Sequence, residues 1–178
     1  MRVFLMPEMR VAHTLDHGET VNSIAFTSDD KLMATAGDNA EVRVWTTSDM
    51  KLQRTLRNVP GAGFVTVRFS PDDKTLAASG FEGHVSVWSV ADGKRVGRFN
   101  YTGRKVEAVE FSRDGRFLVV GGHDRCIRMF RTSDFTLAYA TEPTDNVEYV
   151  SFSPNGAFLV SAHQDGIVRL WRVMSDDP

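Results

Sequence analysis

The chain has 178 residues, 42% of them hydrophobic and 25% charged, with a net charge of −2. That length can bury a sizeable core, and the composition is that of a soluble globular protein rather than a disordered or fibrous one. No apolar run approaches the roughly 20 residues of a membrane-spanning helix, Met1–Pro7 holds too short an apolar stretch for a secretory signal, and the single cysteine, Cys126, excludes an internal disulfide framework.

Residues 1–9 read as an N-terminal leader, and Arg10 to Leu15 as a short polar strand. The first full unit follows at 16–57. Val21, Ile24 and Phe26 are spaced by three and then two, which suits a strand with a bulge near its start. Ser28-Asp29-Asp30 is turn chemistry. Leu32 to Ala36 is a run of small and apolar residues, the signature of a strand buried on both faces. A second turn at Asp38-Asn39-Ala40 leads into Val42-Arg43-Val44-Trp45, whose strict alternation makes it half exposed. Leu52 to Leu56 supplies a more polar fourth strand, suited to an outer edge.

The same order recurs at 58–100, 101–141 and 142–174, with 175–178 left as a tail. Phe26 becomes Phe69, Phe111 and Phe152, and Trp45 becomes Trp88, Phe130 and Trp171, each aromatic nineteen residues after its Phe. Periods of 43, 42 and 41 residues mark a repeat architecture, in which no unit buries its hydrophobic face alone. Charge follows the repeat unevenly. Lys94 to Arg131 carries ten Lys and Arg against four Asp and Glu, an asymmetry that bears on partners rather than on fold.

These units resemble the WD-repeat family of β-propellers, and the resemblance covers residues 10 to 173. It implies an all-β fold of four-stranded antiparallel blades, four in this chain, around a central channel. It also implies structural roles for His17, Thr35, Asn39 and Trp45 in blade one, and for Trp88, Asp124, Phe130, Asp165 and Trp171 in the others. The family's Asp after the Trp is absent, with Thr46, Ser89, Arg131 and Arg172 in its place, so the family's His-Asp-Ser/Thr-Trp network is incomplete in every blade.

The resemblance implies seven or eight blades in most rings, so closure is open to three solutions. Two copies could form a two-fold eight-blade ring, each leading strand completing the other's last blade. The chain could belong to a larger propeller finished by another polypeptide. Four blades could also close on themselves through a sharper turn per blade.

Neither a phosphate-cradling glycine loop, nor Cys-x-x-Cys, nor His-Glu-x-x-His occurs, so the sequence points to no enzyme, no cofactor and no metal. His123 and His163 lie near Asp124 and Asp165 in neighbouring turns, but turn Asp residues in the family cap their own turns. The resemblance implies that partners dock on the face built from the second turns and the loops before the first strands. On this chain that face maps to Asp38, Phe64, Phe81, Lys105, His123 and Gln164. The function expected is a scaffold or adaptor binding other proteins in a larger assembly, in a reducing cytoplasmic or nuclear compartment. The alternative is recognition of RNA, a phosphopeptide or a phosphoinositide by Arg104, Lys105, His123 and Arg125.

Overall fold

Seventeen strands and no helix make up the described residues, 1–57, 63–100 and 104–173 of this computed structural model. The 175–178 tail and the starts of the second and third blades, 58–62 and 101–103, lie outside them. A hairpin of β1 (Arg2–Leu5) and β2 (Arg10–Thr14) comes first. Blade one follows, with β3 (Val21–Phe26), β4 (Leu32–Gly37), β5 (Glu41–Thr46) and β6 (Leu52–Arg57). Blade two is β7 (Phe64–Phe69), β8 (Thr75–Gly80), β9 (His84–Ser89) and β10 (Arg95–Asn100). Blade three is β11 (Val106–Phe111), β12 (Phe117–Gly122), β13 (Ile127–Arg131) and β14 (Leu137–Ala140). Blade four has three strands among the described residues: β15 (Val147–Phe152), β16 (Phe158–His163) and β17 (Val168–Arg172).

Each first strand carries the expected bulge. Pairing slips between Val21 and Ser23, Phe64 and Thr66, Val106 and Ala108, and Val147 and Tyr149. The residues passed over, Asn22, Val65, Glu107 and Glu148, have no cross-strand partner, and a bulge re-aims such a side chain. The first turns are built alike. The hydroxyls of Thr27, Ser70, Ser112 and Ser153 accept the amides of Leu32, Thr75, Phe117 and Phe158. The third turn residue is left-handed each time, at Asp30, Asp73, Gly115 and Gly156, a conformation that Gly and Asp tolerate.

Hydrophobic residues meet between blades, not within them. Ala34, Val42, Val44 and Leu56 on the trailing face of blade one pack on Val67, Leu76 and Trp88 of blade two. Ala77, Val85 and Val87 meet Val109, Leu118 and Phe130 in the next interface, and Val119 and Ile127 meet Val150 and Leu159 in the last. Each such side chain contributes about 1.5–3 kcal/mol when fully buried. Hydrogen bonds stitch the innermost strands: Val67 N–H donates to Ser23 Oγ (3.2 Å), Thr66 Oγ1 to the Glu107 carbonyl (2.6 Å) and Arg68 Nε to Glu110 Oε2 (2.9 Å).

The innermost strands β3, β7, β11 and β15 lie side by side in chain order, and β15 makes no comparable packing on β3, so the blades form an open arc. Its ends are legible in exposure. Ile24 and Phe26 are 42% and 53% exposed, whereas Val67, Val109, Phe111, Val150 and Phe152 at the equivalent positions are buried. At the far end Val168 and Leu170 are 69% and 65% exposed, while Val42, Val44, Val85 and Val87 are buried.

Residues 1–9 are not a plain leader. β1 pairs with β2 through Val3↔His13 and Phe4↔Val11 with a slip between Val3 and Phe4, the pattern that Val44↔Arg54 and Trp45↔Leu52 make between β5 and β6. Met9 in the first connection and Met50 in the second share φ 54°. The hairpin is therefore the outer half, third and fourth strands, of a further blade, and Phe4 stands forty-one residues before Trp45 as its closing aromatic. Met1, Val3 and Leu15 cover Met33 and Trp45 on the outer half of the leading face of blade one. Nothing among the described residues covers the inner half, where Ile24 and Phe26 lie. Within this chain the partner of the polar strand at Arg10–Thr14 is β1.

Candidate functional site

Antiparallel topology puts every first turn at one end of the blades and every second turn, with the bulge, at the other. The second end therefore displays two positions per blade that lie outside the inter-blade cores: the bulged residue and the first residue after the second strand. These are Asn22 and Asp38, Val65 and Phe81, Glu107 and His123, and Glu148 and Gln164, with Lys105 and Asn146 just before their strands. A cleft lined by Ser70, Asp72, Phe111, Asp114, Thr132 and Phe135 lies at the opposite end, among the first turns.

Contacts run along this rim. Asn22 Nδ2 donates to Asp38 Oδ1 at 2.7 Å and to the Phe64 carbonyl at 2.9 Å. The Lys105 ammonium stands 5.0 Å from the centroid of the Phe81 ring and 2.6 Å from Glu107 Oε1. His123 Nε2 lies 3.0 Å from the same Glu107 oxygen and 4.0 Å from Glu148 Oε1. Asn146 Nδ2 donates to Gln164 Oε1 at 2.7 Å. Phe81 keeps 40% of its surface exposed, with a cation over its face, an arrangement suited to an interface anchor.

Five of the six residues predicted for this face, Asp38, Phe81, Lys105, His123 and Gln164, stand on it. Phe64 does not. It is fully buried, edge-on to His84 (6.4 Å) and Trp88 (5.8 Å), because the bulge turns residue 64 inward and residue 65 outward. The cluster Arg104, Lys105, His123 and Arg125 is not purely cationic, since Glu107 and Glu148 stand among its members. Glu107, at the bulge, is the residue that sequence reasoning missed. Its signal was the register slip already expected at that point.

Glu107, His123 and Glu148 could present ligand atoms to a metal, all within 4.8 Å of one another. The Lys105 ammonium holds the shared carboxylate, however. The other histidine-aspartate set does not assemble. Asp124 caps the Cys126 amide and pairs with Arg128. Asp165 caps the Ile167 amide and pairs with Arg169 at 2.7 Å, which holds its carboxyl below the usual range. Burial pushes the Cys126 thiol up, so it stays protonated and is a poor nucleophile.

The blades are pinned unevenly. In blade one Trp45 Nε1 donates to Thr35 Oγ1 (2.9 Å), Asn39 Nδ2 donates to the His17 carbonyl (2.6 Å), and His17 Nε2 approaches the Thr35 carbonyl (3.4 Å). In blade four Trp171 Nε1 donates to Ser161 Oγ (2.9 Å), and Ser161 meets His163 Nε2 (2.7 Å). His163 Nδ1 lies 3.2 Å from both the Asp145 carbonyl and Thr144 Oγ1, so both ring nitrogens are engaged. Here the histidine comes from the end of the second strand, where the other blades have Gly37, Gly80 and Gly122. Blades two and three carry Ala78 and Val120 in place of the hydroxyl. Trp88 packs on Phe64, and Phe130 lies 4.3 Å from the Phe99 ring.

The model of the family described as WD domain, G-beta repeat matches four consecutive stretches, 9–46, 51–89, 93–131 and 136–172. No curated protein matches the chain. WD40 repeats generally serve as non-catalytic platforms for protein–protein interaction.

Proposed function

Because the chain belongs to the WD-repeat family, we propose that it is a non-enzymatic scaffold or adaptor that holds a protein partner along the second-turn rim within a larger assembly. One observation carries this reading. Bulge and second-turn positions stand outside the inter-blade cores, and from blade two to blade four this rim brings together an exposed Phe81, the Lys105 ammonium, the His123 imidazole and the carboxylates of Glu107 and Glu148. Such a surface suits a polypeptide segment offering an apolar side chain for Phe81 and a basic one for the exposed Glu148. Electrostatics would set its orientation and on-rate.

The test is capture of co-purifying proteins by the wild-type chain and by Phe81→Ala. The variant should weaken a specific partner by about 1 kcal/mol or more while the circular dichroism stays unchanged. A partner held with undiminished affinity would place the contact elsewhere. If the ligand is instead RNA, a phosphopeptide or a phosphoinositide, affinity falls steeply with salt, and Glu107→Gln strengthens it.

A further inference from the structure

Residues 107, 123 and 148 follow no metal-ligand spacing in the sequence, yet the fold draws them together. Glu107 is the bulged residue of β11, passed over by the slip between Val106 and Ala108. His123 follows β12, whose Gly122 faces Val106, and its amide donates to the Lys105 carbonyl at 2.9 Å, so it is held against the same bulge. Glu148 is the bulged residue of β15, the inner strand that packs beside β11 from the next blade. Strand ends rather than long loops position all three, which is the support that a precise site needs.

We propose that Glu107, His123 and Glu148 form a zinc site joining blades three and four. One imidazole nitrogen and two carboxylate oxygens suit Zn²⁺, which takes His and Glu ligands at about 2.0–2.2 Å in a tetrahedral array. Ligand atoms in such an array stand roughly 3.3–3.6 Å apart. Here Glu107 Oε1 lies 3.0 Å from His123 Nε2, His123 Nε2 lies 4.0 Å from Glu148 Oε1, and all three atoms fall within 4.8 Å of one another. Rotation of the Glu148 side chain, which is 43% exposed, closes the remaining gap. Glu107 is the fixed ligand: its side chain is only 10% exposed, and its backbone carbonyl accepts from Thr66 Oγ1 at 2.6 Å. His123 and Glu148 are open to solvent, which gives the ion an entry path and water a fourth position.

Lys105 is the competitor. Its ammonium lies 2.6 Å from the Glu107 oxygen that the ion takes, and two cations repel at such a distance. Without metal it keeps the buried carboxylate paired. On binding, zinc replaces the ammonium at Glu107, and Lys105 stays over the Phe81 ring, 5.0 Å from its centroid. The ligands are other side chains than Phe81, so the site does not rest on the partner reading.

Calorimetric titration of the full chain with zinc chloride tests this. One ion should bind per chain in the micromolar range. His123→Ala and Glu148→Gln alter residues outside the inter-blade cores, so each should keep its circular dichroism while weakening zinc by about tenfold or more. Lys105→Met removes the competitor and should tighten zinc by about tenfold. Cobalt(II) in place of zinc should give the visible absorption of a tetrahedral site in the wild-type chain and not in His123→Ala. Absence of saturable binding up to millimolar zinc, zinc binding undiminished in His123→Ala, or a folded Lys105→Met chain that binds zinc more weakly would each overturn the inference. Capture of a partner by Phe81 is measured without zinc and does not change with these outcomes.

Discussion

The indole N–H of Trp171 donates to Ser161 Oγ at 2.9 Å, the same bond at the same ten-residue separation that joins Trp45 to Thr35. These bonds lie in blades one and four. In blades two and three Ala78 and Val120 replace the hydroxyl, and the closing aromatics Trp88 and Phe130 pack on Phe64 and Phe99.

We predict that Ser161→Ala, which leaves Trp171 Nε1 and His163 Nε2 without this partner, destabilises the chain by about 1–3 kcal/mol. Thr35→Ala should cost a similar amount. Ser79 is the control: its hydroxyl is fully buried and has no hydrogen-bond partner among the described residues. Ser79→Ala should be neutral or stabilising by up to about 1 kcal/mol. Urea midpoints of the three variants decide it, and a large loss for Ser79→Ala would contradict the account.

Phe64 and Phe81 should separate cleanly. Phe64→Ala removes a ring enclosed by His84, Trp88 and the core of blades one and two, and should cost about 3–5 kcal/mol of stability. Phe81→Ala should change stability by less than about 1 kcal/mol, because its ring is half in solvent. Thermal melts of both variants check this; equal losses would show that Phe81 is a core residue.

Stability should fall as the solution is acidified. Burial holds the imidazoles of His17 and His84 below their ordinary value of 6.5. The unfolded chain therefore takes up these protons at higher pH than the folded chain. Their neutral forms support the fold fully above the unfolded value, and that support is lost as pH drops through the lower folded values. Denaturant midpoints should decline as pH falls from about 6.5, and His17→Phe should make the decline shallower. An unchanged slope in that variant would exclude His17 as a contributor.

Gly122→Ala tests how the second turn meets the strand opposite. A Cβ at Gly122 would lie 2.3 Å from the Lys105 carbonyl, a backbone atom that cannot swing aside. The substitution should destabilise by about 1–3 kcal/mol. Because it displaces Lys105, it should also weaken a rim-bound partner, as titration against the captured partner would show.

Much of this arrangement is readable from residue order. The nineteen-residue interval from Phe to aromatic and the three-then-two spacing give the strands, the bulges and the inter-blade cores, since each is a local consequence of which residues are apolar. The turn caps Asn39, Asp124 and Asp165 follow from short-range chemistry in the same way. Phe64 was misplaced because its side depends on which of two adjacent residues the bulge ejects, a choice made by packing against Trp88. The β1 hairpin escaped notice because one short strand carries little periodicity, although Phe4 and Met9 stand forty-one residues before Trp45 and Met50. Glu107 is a strand position whose place on the rim depends on the bulge between Val106 and Ala108, so residue order alone does not mark it.

At the bulge, the four blades read Asn22, Val65, Glu107 and Glu148. An amide, an aliphatic group and two acids occupy one geometrical slot, and the sheet beneath is the same in each. The backbone geometry of the slot is the same whichever of these groups fills it, so its chemistry differs blade by blade on one frame. The arc behaves as a line of interchangeable type, set in a fixed forme, on which a new message needs only new letters.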